Sequence, residues 1–436
     1  MPTPSSAQFV SSLSERARVR DGVRDGVRDG VRDGVRDGVA DSLLAFRDDF
    51  PILERTNYLV SNSLGAMPRA VPERLAEYAR EWAELGVRAW AKGWWNMPVC
   101  VGDTIAPLIG ADARSVSMQP NVSIAQSIVL SAMDFSGDRD TVVMTELDFP
   151  SVRYAYEQLA RRFGARVVVI PSDDGVTIDQ GRLLSAIDDR VRLVSVSHVL
   201  FKSAFIMDAD AICAHAHSVG ALVSLDAYHS VGIIPVDVKR SGVDFLTGGV
   251  LKWLCGGPGA AFLYVSPAVR GAIEPAITGW QAHAHPFAFE QEMDYADGIE
   301  RWLNGTPAIP ALFAAAAGPE IVLKAGIGAI RAKSVRQTEW LIAAADARGY
   351  RVHAPRDSAQ RGGTVAFDVP HGHEVAQFLL SQNIIVDYRV GAGIRVGPHF
   401  YTSDEELDAC IGAIDECLST GTWERFSGAA RSAVVT

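Results

Sequence analysis

Six short runs of apolar and β-branched residues recur along one stretch of the chain, at 141–144, 165–170, 191–197, 221–225, 245–246 and 261–265. Between most of them lie amphipathic segments such as 152–163 and 208–217. Strand-length apolar runs alternating with helical patterns predict βαβ units, hence an α/β fold with a mostly parallel sheet flanked by helices on both faces. The pattern changes near Arg301. Helices are predicted over 310–325 and 330–348, short strands over 363–367 and 384–388, and a closing helix over 403–416. This second pattern predicts a smaller α+β domain. A chain of 436 residues also exceeds the roughly 250–300 residues that one core usually supports. The expected division is a large domain over 81–299 and a small domain built from 43–80 and 300–436.

Residues 1–42 stand apart. From Arg20 to Val39 the tetrapeptide Arg-Asp-Gly-Val repeats five times. A glycine in every unit costs a helix about 1 kcal/mol relative to alanine, so this segment reads as a low-complexity, unpacked extension.

Composition narrows the classes of function. With 41 basic against 52 acidic residues the net charge is −11, which argues against nucleic acid or an anionic membrane as partner. The five cysteines are scattered and form no Cys-x-x-Cys pair, so neither a disulfide framework nor a zinc site is predicted. A reducing cytoplasm fits. No charge-free apolar stretch reaches the roughly 18 residues of a membrane span, and residues 1–20 lack a secretory leader pattern, so a soluble, unexported protein is expected. His215 and His217 lie two apart on a predicted helix and face apart. His283 and His285 lie in a loop with no acidic partner at a recognised spacing, so no metal is expected.

In open α/β sheets ligands gather at the carboxyl ends of strands. Here those ends carry Glu146-Leu-Asp-Phe149-Pro-Ser151, Ser197-His198 and Asp226-Ala-Tyr-His229. After 245–246 comes Thr-Gly-Gly-Val-Leu-Lys252-Trp253, a single lysine in an apolar, glycine-rich setting. Such a lysine is either a snorkelling surface residue or a desolvated amine suited to Schiff-base chemistry. An acid at the end of the preceding strand and an aromatic at the end of another favour the amine. Together they match what pyridoxal phosphate requires: a carboxylate for the pyridine nitrogen, a ring to stack on, and a lysine to form the imine.

The matching segments are Tyr58-Leu-Val-Ser-Asn-Ser-Leu-Gly65, Leu108-Ile-Gly-Ala111, Asp148-Phe-Pro-Ser151, Asp226-Ala-Tyr-His-Ser-Val-Gly232, Val243-Asp-Phe245, Lys252-Trp-Leu254, Gly279-Trp280, Gly305-Thr-Pro307 and Ile394-Arg-Val396. In their order and spacing the sequence resembles the class V, fold type I pyridoxal phosphate enzymes over about 45–420, and among these the kynureninases. The resemblance implies that Lys252 holds the cofactor and later serves as acid and base at the substrate's Cα. It implies that Asp226 pairs with the pyridine nitrogen, that His229 lies near the cofactor, that Phe149 stacks on its ring, and that Ser197 contacts its ring oxygen or phosphate region. Asn121 and Val122 would give backbone amides, and Ser123 its hydroxyl, to the phosphate at a helix start. Gly305-Thr306 would reach the phosphate from a neighbouring subunit, which makes a homodimer with shared sites. Trp280 is placed with the cofactor contacts and, like Ser63, along the substrate pocket. Arg395 would grip the substrate α-carboxylate.

The chain departs from kynureninases where they carry a tyrosine before the lysine, here Leu251, and a threonine at Val122. It also departs where they carry an aspartate at Val152 and a histidine near Val87. The expected reaction is hydrolytic Cβ–Cγ cleavage of L-kynurenine or a related γ-oxo-α-amino acid. Transamination, epimerisation and C–S cleavage are the alternatives within class V, and a silent binding protein is the alternative outside it.

Overall fold

The computed structural model describes residues 41–428, so the repeat at 20–39 lies outside the described residues. Seven strands form the main sheet: β2 (Val116–Gln119), β3 (Thr141–Thr145), β4 (Arg166–Ile170), β5 (Val191–Ser197), β6 (Leu222–Asp226), β7 (Phe245–Gly249) and β8 (Ala261–Val265). Their order is β2-β8-β7-β6-β5-β3-β4, with β8 running antiparallel to the other six. The sheet is therefore mostly parallel. Its central strands are apolar on both faces because both faces are covered. Val143, Val223, Leu225 and Phe262 enter one core while Val142, Met144, Leu193 and Leu263 enter another, so neighbouring residues of one strand feed opposite layers. Only β4, at the edge, shows an exposed end.

Crossover helices start and stop where local chemistry dictates. Pro150 opens helix Pro150–Phe163 and Gly164, in the left-handed region, closes it. Asp208 caps Ala209–Ser218 by accepting the Ala211 N–H. Each crossover returns the chain in the same direction, so β3, β5, β6 and β7 all finish at one edge of the sheet.

A third core gathers Leu59, Leu341, Phe367, Leu379, Val396 and Ile411 around a three-stranded antiparallel sheet, ordered β11 (Asp387–Arg389), β12 (Gly393–Val396), β9 (Val365–Phe367). The predicted strand 384–388 is in fact two. β10 (Ile384–Ile385) pairs in parallel with β1 (Asn57–Tyr58), whereas β11 pairs with β12, and the break at Val386 turns Asp387 into the interior. The predicted helix 310–325 is also two, Ile309–Ala315 and Ala317–Ala325. The second presses on the loop after Lys252 so closely that a Cβ on Gly318 would lie 1.9 Å from the Leu254 carbonyl oxygen. Helix Asp404–Thr420 begins with a capping box of Ser403 and Glu406. Among the described residues no single helix is long and apolar enough to cross a membrane.

Gly65 pins the other side of the same loop. Its N–H donates to the Leu251 carbonyl at 2.7 Å, and a Cβ there would stand 2.2 Å from the Lys252 carbonyl oxygen. Gly65→Ala must push two backbones apart, and is expected to cost about 1–3 kcal/mol, read as a lower urea midpoint with an unchanged slope.

Candidate active site

The carboxyl edge of the sheet meets the third core around a cavity of about 350 Å³. Register brings Ser197 beside Asp226 and Asp226 beside Thr247, so three strand ends lie side by side. The buried carboxylate of Asp148 fastens the first of them to the end of β3 by accepting the N–H groups of Thr145 at 2.7 Å and Ser197 at 2.6 Å. Asp148 thus sets Ser197 and the turn that carries Phe149. Its sequence signal, an acid just after an apolar run, was present without a role attached.

Lys252, Asp226, His229, Phe149, Asn121, Val122, Ser123, Ser197, Ser63 and Arg395 all line this one cavity. The Lys252 Nζ lies 2.6 Å from His229 Nε2, 4.7 Å from the Tyr228 ring centroid and 5.5 Å from that of Phe149. Burial pulls the lysine amine well below the ordinary lysine range; Asp226 opposes this and Arg395 adds to it. His229 is pushed far down by burial and then by Lys252, and its Nε2 shares a hydrogen bond with the lysine nitrogen. Burial pushes the Asp226 carboxyl up, and one of its oxygens accepts the Tyr228 N–H at 2.9 Å.

Arg395 is 2% exposed. Its guanidinium donates to the Phe201 carbonyl at 2.5 Å, to Ser63 Oγ at 3.2 Å and to Asp387, which stands directly opposite it on β11. Ser63 Oγ in turn donates to Asp387 at 2.7 Å, and Arg389 closes on the same carboxylate at 3.2 Å. Among the described residues the Arg395 Nε–H has no partner, so one buried donor is left unpaired. The fully buried Asp387 escaped the sequence reading; an acid inside the apolar run Ile384-Ile-Val-Asp387 was its signal.

Asn121 caps helix Val122–Ser131 by accepting the Ile124 N–H at 3.0 Å. The amides of Asn121, Val122 and Ser123 precede the first intrahelical bond and form the positive end of the helix, a setting that favours an anion.

Two expected site residues do not enter the cavity of their own chain. Thr306 is exposed beside a small separate cavity bordered by Gln119, Pro120 and Asn304. Trp280 is 41% exposed and packs edge-on to Trp95 at 4.8 Å. Both are held at the β2 edge, because the Gln281 N–H donates to the Asn304 carbonyl and Asn304 to Gln119. In the strand order β2 stands three places from β6, about 14 Å at ordinary strand spacing.

Of the departures, Leu251 and Val122 line the cavity, Val152 is buried in the core, and Val87 is 81% exposed outside it. The fold also supplies the acid that spacing did not reveal, since Glu290 lies 3.8 Å from both His283 and His285. Both His283 nitrogens are already engaged, however. Nδ1 accepts the His285 N–H at 2.8 Å and Nε2 meets the Glu292 carbonyl at 3.1 Å. All five cysteines are buried. Burial, then Asp103, raises the Cys100 thiol, and burial takes Cys255 to about 12, so neither is poised as a nucleophile.

The residues fit pyridoxal phosphate on their own terms. A buried carboxylate bonded to no cation suits a protonated pyridine nitrogen. A desolvated amine suits attachment, the Phe149 ring forms a wall, and a helix start offers amides to the phosphate.

Comparison with known proteins agrees. Residues 58–409 match the family model described as Aminotransferase class-V. A curated kynureninase from Burkholderia mallei (strain SAVP1) is 31% identical over 409 residues, covering 90% of this chain and 96% of that protein. Among solved structures, the apo cysteine desulfurase of Thermococcus onnurineus NA1 superposes with a TM-score of 0.76 at 23% identity, covering 86% of this chain and 98% of that one. A C-DES mutant with glycine covalently linked to its PLP cofactor gives 0.76 at 22%, covering 84% and 98%.

Proposed function

Since the chain belongs to the class V aminotransferase family as a kynureninase-like, pyridoxal phosphate-dependent enzyme, we propose that it cleaves L-kynurenine or a closely related γ-oxo-α-amino acid. With water, L-kynurenine would yield anthranilate and alanine. The observation that carries this reading is that Lys252 and Arg395, whose Nε–H has no partner among the described residues, line one cavity.

When bound, the cofactor withdraws the electron pair released at the substrate's Cα. Asp226 keeps the pyridine nitrogen protonated, which sustains that withdrawal. Phe149 stacks on the ring, Ser197 meets its ring oxygen or phosphate region, and Asn121, Val122 and Ser123 hold the phosphate. Arg395 takes the α-carboxylate through Nε–H while Asp387 and Ser63 fix the plane of the guanidinium. Lys252 receives the Cα proton, a task its lowered pKa suits, and His229 takes a hydrogen bond from the resulting ammonium. The aryl ketone would lie along Val199 and Phe201, which line the same cavity. With no low-pKa thiol present, sulfur transfer through a cysteine is disfavoured.

Thr306 and Trp280, far from their own cavity, would serve that of a second subunit in a homodimer. The five free, buried thiols suit a reducing cytoplasm. The test is purified protein with L-kynurenine, anthranilate being followed by fluorescence. Release of anthranilate with an equal amount of alanine is the expected result. A lysine-dependent visible band without anthranilate would overturn the substrate while keeping the cofactor.

A further inference from the structure

Tyr228 is the one phenol that lines the cavity, and neither the strand-end pattern nor the family resemblance gave it a part. Its backbone N–H is tied to Asp226 at 2.9 Å, which fixes where the residue begins. Its ring lies under the Lys252 Nζ at 4.7 Å from the centroid, within the range in which an ammonium is attracted to an aromatic face. Space for that ring comes from β7, for a Cβ on Gly249 would stand 2.2 Å from the Tyr228 hydroxyl and ring carbon. Gly249 lies three residues before Lys252, so the strand that leads into the lysine also makes room for its aromatic floor.

We propose that Tyr228 is a positioning residue for Lys252, its ring face holding the protonated nitrogen in place and its hydroxyl contributing little. The inference rests on the reading of Lys252 as the cofactor-bearing acid and base. Every group facing that nitrogen enters the balance. His229 shares a hydrogen bond with it, Phe149 flanks it, Asp226 and Asp387 favour its charge, and Arg395 and Arg389 oppose it. A ring face adds to the favourable side, and removing it lowers the proton affinity of the nitrogen.

The experiment is a spectrophotometric pH titration of the lysine-linked cofactor band in holoenzyme, alongside the pH dependence of kcat. Tyr228→Phe is expected to titrate as the parent does. Tyr228→Leu is expected to shift both the band and the acid limb of kcat to lower pH by about 0.5–1 unit, the size of one cation–π contact. Gly249→Ala displaces the ring without deleting it and is expected to shift in the same direction, which keeps the test alive should the leucine variant fail to fold. An unshifted band in both Tyr228→Leu and Gly249→Ala overturns the inference, as does a Phe variant that shifts as far as the Leu variant. Absence of any lysine-dependent band in the parent protein would instead overturn the reading of Lys252, and the two failures are told apart by that control.

Discussion

Lys252→Ala is expected to lower turnover by at least about 10⁴-fold and to abolish the lysine-dependent visible band, while the fold, read by circular dichroism, stays intact. The size follows from losing the two functions proposed for it, attachment of the cofactor and proton transfer at Cα, of which the second alone is typically worth about 10²–10⁴-fold. No neighbour can replace it. His229, 2.6 Å from the lysine nitrogen, has its basicity pushed far down by burial, which persists when the lysine is gone, so its imidazole is too weak a base for the task. In the parent enzyme the base must be unprotonated, so the lowered pKa of Lys252 places the acid limb of kcat well below the ordinary lysine range. An activity that appeared only at strongly alkaline pH would contradict the geometry.

Asp226→Asn is expected to cost about 10²–10³-fold in kcat/KM, because an amide supplies no charge to hold the pyridine nitrogen protonated, and losing one partner of a buried charged pair costs about 2–5 kcal/mol. The same change should stabilise the cofactor-free protein. A carboxyl whose folded pKa lies above its unfolded value supports the fold while protonated, and that contribution is lost as pH rises through the folded pKa. Asparagine has no charge to bury, so the variant should melt higher than the parent at neutral pH. The difference should shrink as pH falls from about 6 toward the ordinary carboxylate range. Thermal melts at pH 7 and pH 4, together with steady-state kinetics, check both halves. Equal melting at both pH values would show that Asp226 is not desolvated as described.

The parts of this site that depend on short stretches of chain were legible in the sequence. Apolar runs ended at Ser197 and Asp226 because parallel strands buried on both faces must be apolar along their length, and polar residues reappear only where the sheet stops. The same logic found Phe149 and Lys252. What local pattern could not reach was anything fixed by pairing across the chain. Asp387 is buried because β10 and β11 join different sheets, and its partner Arg395 is chosen by register. Tyr228 earns its place through Gly249, on another strand. The Glu290 carboxylate approaches His283 and His285 through a loop whose course no periodicity announces. Thr306 and Trp280 were named through family resemblance, and the single chain leaves them at the sheet's far edge.

One contact of Arg395 has an evolutionary consequence. The guanidinium holds the backbone carbonyl of Phe201, and the side chain at that position stays out of the bond. Residue 201 can therefore be exchanged without loosening the proposed carboxylate clamp. Under the proposed assignment, that main-chain contact would hold the amino-acid end of the ligand in place while the far end is open to change. Selection for a new aryl, alkyl or smaller ketone would find its first steps at Val199 and Phe201, and a lineage could change diet there without rebuilding its catalytic machinery.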